Sequence, residues 1–175
     1  LASKIKSHHN VGGLPEKLSL QLLEPVREYY KDEVREIGKI LGIPDKVLME
    51  HPFPGPGYAV RIRGEVTEKR LNQVKLADSI LADELQKADI YHRLFQCFPV
   101  MTGAHSTAVK GDEGIFAEVV AIRAYESLDI MTSTWAKLPY DVLQNISSRI
   151  VNEVPDVSRV VYDISTKPPA TMEWE

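Results

Sequence analysis

The sequence predicts an α+β chain: a two-layer sandwich in which a mixed β-sheet carries long helices on one face. Three observations predict it. Strand-like and helix-like segments are interspersed without strict βαβ repetition, which disfavours a doubly wound parallel sheet. Two long segments repeat apolar residues three and four apart, enough for two helices that each cover a sheet. The composition, 43% hydrophobic and 26% charged over 175 residues, is that of a chain able to bury such a core.

Taken in order, residues 1–16 are polar and lack a period, so they read as a loop. The apolar run from Leu18 is broken at Pro25, and Leu20 to Glu24 is short enough for a strand. Val34, Ile37 and Leu41 mark a helix over 32–41, stopped by Gly42; Pro44 opens a short second helix. Residues 51–57, His-Pro-Phe-Pro-Gly-Pro-Gly, forbid regular structure and set a domain boundary, giving domains 1–50 and 51–175. Tyr58 to Arg63 alternates apolar and polar residues and predicts a half-buried strand. Thr67 caps a long helix ending near Ala88, with Leu71, Val74, Ala77, Leu81, Leu85 and Ala88 as its buried stripe.

Leu94 to Met101 and Thr107 to Lys110 read as short strands. Phe116 to Tyr125, with few polar interruptions, reads as a strand central in the sheet. Gly111-Asp112-Glu113-Gly114 is a hairpin connection. A loop with Asp129, Thr132 and Trp135 leads to Pro139. That proline opens a helix with Leu143, Ile146, Ile150 and Val154 inward, ended by Pro155-Asp156. Arg159 to Ile164 is the final strand, with Val160, Tyr162 and Ile164 inward. Pro168 and Pro169 hold the tail extended, and Trp174 pins it by burial.

Lys+Arg 21 against Asp+Glu 25 leaves a net charge of −4, a poor surface for nucleic acid. No apolar run is long enough to span a bilayer. Cys97 is the single cysteine, so no intrachain disulfide forms and a reducing, cytoplasmic setting is expected. The first residues resemble mid-protein sequence, and a fragment of a longer chain is expected.

Several residues carry candidate chemistry. Arg61 and Arg63 project from one strand beside the rigid loop, where a planar guanidinium suits phosphate or carboxylate; a solvated pair on an open face is the alternative. Lys6, His8 and His9 precede Gly12-Gly13 and suit a lid over a polyphosphate, or simply a solvated loop. Gln96 shares a face with Leu94 and Phe98 and needs a polar partner. The tail reads as a docked arm that delivers Lys167 and Glu173 to a fixed place; a frayed, solvated end is the alternative. No residue set has the spacing of a metal site.

Several segments together closely resemble the C-terminal region of the glutamine-hydrolysing GMP synthetases. They are residues 5–13, Glu24-Pro25, residues 31–35, the His-Pro-Phe-Pro-Gly-Pro-Gly run at 51–57, residues 138–141, residues 152–155, residues 159–164 and the Lys-Pro-Pro-Ala-Thr-Met-Glu-Trp-Glu tail at 167–175. The resemblance covers essentially the whole chain. It implies an enzyme that makes GMP from xanthosine monophosphate, ATP, Mg²⁺ and ammonia supplied by a glutaminase domain or subunit. It further implies that 1–50 are the end of an ATP-pyrophosphatase domain and 51–175 a homodimerisation domain. By position, Arg61, Gln96, Lys167 and Glu173 resemble contacts to xanthosine monophosphate, and Lys6, His8 and His9 a catalytic lid over ATP. The glycine-rich phosphate loop and the glutaminase residues are absent, so this chain alone is expected to bind no ATP or Mg²⁺ and to be inactive. A non-catalytic dimerisation and nucleotide-binding module is the second reading. His105 stands where the bacterial family usually has arginine.

Overall fold

The structure, a computed structural model, describes residues 19–127 and 132–174. The chain divides into two compact units, one ending at Leu48 and one beginning at Met49.

In the first unit, α1 (Lys31–Ile40) is followed by α2 (Asp45–Leu48). Gly42, at φ 77°, ends α1, and Pro44 opens α2 as the sequence predicts, its carbonyl accepting from the Val47 and Leu48 amides. Gly38 is the point of close approach: a Cβ there would meet Leu48 Cδ2 at 2.5 Å. The predicted strand over Leu20 to Glu24 is not formed. Leu20, Leu22 and Leu23 are exposed, and Glu24 instead begins a turn closed by the Arg27 amide.

The second unit is an α+β sandwich. Helix α3 (Glu68–Lys87) is capped by Thr67, whose hydroxyl accepts from the Arg70 amide at 3.2 Å. The predicted stripe is the buried one: Val74, Ala77, Leu81 and Leu85 are inaccessible. The two strands expected at 94–101 and 107–110 are one, β1 (Gln96–Lys110). They merge because a bulge at 102–104, with Gly103 at φ 75°, bends the strand without ending its pairing. The two-residue loop Gly111-Asp112 turns it into β2 (Glu113–Glu126).

β2 is central, as its apolar run predicts. It pairs antiparallel with β1 along one edge and, along the other, antiparallel with β3 (Thr134–Trp135) and parallel with β4 (Val157–Tyr162). The parallel pair needs a crossover, supplied by α4 (Tyr140–Glu153). Alternation divides the sheet. Cys97, Met101, Val120, Ile122 and Ala124 face α3 and α4, while Phe98, Val100, Ala121 and Tyr125 form a second cluster with Met172 of the tail. Ile164 was expected inward but lies past the end of β4 and is 62% exposed.

Two further expectations are corrected. Gly57–Arg61 is a 3-10 turn, not a strand; only Ile62 reaches the sheet, through an isolated bridge to Met101. The Pro/Gly run curls the chain here: Gly57, at φ 69°, donates to Pro54 O. Arg61 and Arg63 therefore do not share a face. The tail is not extended at its prolines either: it turns there, with the Ala170 amide on Thr166 O at 3.0 Å. Trp174 is 38% exposed and is held by a hydrogen bond rather than by burial.

Candidate functional site

The 3-10 turn places Arg61 under the Pro/Gly loop, 2% exposed. Its guanidinium lies 4.4 Å from the Phe98 ring centre and 4.9 Å from that of Phe53. Two carboxylates flank it, Asp78 of α3 at 3.9 Å and Glu173 of the tail at 3.8 Å. Both distances allow attraction and neither is a hydrogen bond. Arg61 Nε and Glu173 Oε2, which face each other at 3.8 Å, are buried atoms that each lack a hydrogen-bond partner among the described residues. A buried donor and acceptor left open cost free energy unless a third group completes them.

Gln96, at the start of β1, joins this group. Its Nε2 donates to Pro52 O at 2.6 Å and to Glu173 Oε1 at 3.4 Å, while its Oε1 accepts from the Tyr125 hydroxyl. Burial pushes the Glu173 carboxyl above its ordinary range, against Arg61 and Gln96, which favour the ionised form. Burial raises Asp78 likewise, opposed by the hydrogen bond from Tyr58 (2.8 Å) and by Arg61. The Tyr58 hydroxyl is itself pushed up to about 12, first by burial and then by Asp78.

A cavity of about 460 Å³ opens beside Arg61, lined by His51, Phe53, Tyr58, Asp78 and Tyr91 among others. His51 stacks on Tyr91 with ring centres 4.0 Å apart. Its Nε2 must donate to Tyr91 O (2.9 Å), so the neutral ring presents Nδ1 as a lone-pair acceptor. Burial lowers the His51 pKa and favours that neutral form.

The structure thus brings together Arg61, Gln96 and Glu173. Lys167 sits at the base of the tail, six residues before Glu173, its backbone bridged both ways to Ser133 at 3.0 Å. Lys6, His8 and His9 lie outside the described residues. Cys97 is buried in the core, and burial pushes its thiol far up, out of reactive range. His105 is exposed and stacks on Phe116.

Sequence reasoning missed three residues that organise the site: Asp78, Tyr125 and Arg123. Arg123 is 1% exposed on β2 and donates to Asp163 and to the carbonyls of Ser165, Thr171 and Met172. The available signal was an arginine inside an otherwise apolar central strand, which must find buried acceptors.

Residues 83–174 match the family model described as GMP synthase C terminal domain. The chain is 56% identical over 174 residues to a protein of Aquifex aeolicus named "GMP synthase [glutamine-hydrolyzing]", covering 99% of this chain and 34% of that protein. A protein of the same name from Chlamydia caviae is 57% identical over 171 residues, covering 98% of this chain and 33% of its own length. One from Caldanaerobacter subterraneus is 53% identical over 175 residues, covering all of this chain and 34% of its length. The chain therefore spans about a third of the length of these relatives. With more than half of its residues inside the family model, the chain belongs to the GMP synthase C terminal domain family.

Proposed function

We propose that this chain is the dimerising, substrate-completing part of a cytoplasmic GMP synthase that converts xanthosine monophosphate to GMP with ATP and glutamine-derived ammonia. The observation that carries the reading is the open pair at Arg61 Nε and Glu173 Oε2, buried, 3.8 Å apart and bordered by Gln96. A nucleotide supplies both an anionic phosphate and hydroxyl or N–H donors, which such a donor–acceptor pair would take. Lys167 would add a second cation from the base of the tail. ATP and Mg²⁺ would belong to the rest of the enzyme, with Lys6, His8 and His9 closing over ATP. Among the described residues, no three His, Cys, Asp or Glu side chains converge as a metal site, and no helix is long and apolar enough to cross a membrane.

In the complete enzyme, Arg61→Ala or Lys167→Ala should raise the KM for xanthosine monophosphate about tenfold, a charge-assisted contact being worth roughly 1.5–3 kcal/mol. The KM for ATP should move far less. Unchanged values for both substrates would remove the assignment.

A homodimer is part of the proposal. Phe116 and Val109, exposed on the outer part of the β1–β2 hairpin, are apolar surface that a second copy could cover. An obligate interface should bury well over ~1,000 Å² in total. Light scattering at micromolar concentration should report twice the chain mass; a monomer counts against it. The second reading, a dimerisation and nucleotide-binding module that performs no chemistry itself, draws on the chain's one-third share of its relatives.

A further inference from the structure

We propose that Arg123 is a positioning residue: it holds the tail so that Glu173 faces Arg61 and Gln96. This rests on the reading of those three as substrate contacts.

Arg123 lies on the sheet face opposite the helices, beside Ala121 and Tyr125. Its Nε donates to Met172 O at 2.8 Å and its Nη2 to Thr171 O at 2.7 Å. These are the two carbonyls immediately before Glu173. Its Nη1 donates to Asp163 Oδ2 at 2.7 Å and to Ser165 O at 3.2 Å. The same Asp163 oxygen accepts from Trp174 Nε1 at 2.9 Å. Glu173 is thus bracketed. The two residues before it are fixed by Arg123, and the one after it by the carboxylate that Arg123 holds. A planar fork sets the direction of each carbonyl, which an ammonium cannot do.

A second link leads to the same place. The guanidinium lies 5.4 Å from the Tyr125 ring centre, and the Tyr125 hydroxyl donates to Gln96. The acceptors of Arg123 all lie in the segment after β4, so the charge serves that segment rather than the sheet.

The test uses the complete enzyme with R123M, R123K, E173Q and the R123M/E173Q double variant. Amide hydrogen exchange over 170–174 and the KM for each substrate are measured. R123M should speed exchange in the tail while exchange in α3 and α4 stays slow. It should raise the KM for xanthosine monophosphate about tenfold, as E173Q does. The KM for ATP should stay within about twofold. R123K should recover only part of the loss: it keeps the charge, but the three donors of one ammonium cannot reach all four acceptors that the guanidinium spans, Met172 O, Thr171 O, Ser165 O and Asp163 Oδ2. Because Arg123 acts through Glu173, the double variant should be no worse than E173Q. Slow tail exchange with an unchanged KM in R123M overturns the proposal, and so do losses that multiply in the double variant. If R123M fails to fold, R123K carries the same comparison. An E173Q enzyme with unaltered KM removes the substrate reading first; tail exchange in R123M then decides the holding role alone.

Discussion

Asp163 shows how one carboxylate can serve three neighbours. Its Oδ2 accepts from Arg123 and Trp174, and its Oδ1 from the Ser165 amide at 2.8 Å. Burial alone would push its pKa up. The hydrogen bonds from Ser165 and Trp174, with the Arg123 charge, outweigh burial and hold it below the ordinary 3.8. A depressed carboxylate stabilises the fold fully above its unfolded pKa and loses that stability as pH falls through the folded value. Asp163→Asn should therefore cost about 3–5 kcal/mol at pH 7, because it leaves Arg123 buried with its charge unpaired. The gap to the parent should narrow below pH 3.8; urea denaturation at pH 7 and pH 3 checks both arms. Asp78 and Glu173 run the other way. Raised by burial, each favours folding only while protonated, and that contribution fades as pH rises through the folded value. Keeping ionised carboxylates beside Arg61 costs stability, as sites shaped for a ligand often do. Arg61 was legible from its place after the Pro/Gly loop, Gln96 as an amide on an apolar face and Glu173 from the tail; the resemblance grouped the three. Arg123 was legible only as a charge in an apolar central strand that needs buried acceptors; which acceptors these are was not, because they lie 40 to 49 residues onward.

Helices were the most legible segments. Thr67 and the 71–88 stripe fix α3 almost to the residue, because a cap and a 3.6-residue period are local signals. The 3-10 turn at Gly57–Arg61 differs from the expected strand because alternation over so few residues does not distinguish a strand from a tight turn; the positive φ of Gly57, its first residue, decides. The strand bend was also hidden. Gly103 donates to Glu118 Oε1 at 2.8 Å, and Glu118 is itself held by Arg70 through both oxygens, at 2.6 and 3.0 Å. Only the paired structure reveals that arrangement. Gly103→Ala should cost roughly 1–2 kcal/mol. Its backbone, at φ 75°, is unfavourable for alanine, and the new Cβ would stand 3.3 Å from Arg63 O. Thermal denaturation reads the loss; an unchanged midpoint would show that the bend does not require a left-handed residue.

For the molecule as a whole, the α+β class followed from the mixture of periods, and the family from motifs that also lie along the borders of the candidate site. What no local pattern could supply was the pairing of segments distant in sequence, and that pairing has a kinetic consequence. A two-residue loop closes β1 onto β2, so the hairpin pays little chain entropy to form. The acceptors of Arg123 lie beyond α4 and β4 in the chain, so those contacts close a much longer loop. In a chain where near contacts precede far ones, the tail docks after the rate-limiting step of folding. Stopped-flow denaturant jumps on Asp163→Asn should thus show faster unfolding with a nearly unchanged refolding rate. A slowed refolding limb would place the Arg123 clamp in the folding nucleus. On the expected outcome, the clamp acts as a brake on unfolding: it sets how long the assembled site persists, not how quickly it is built.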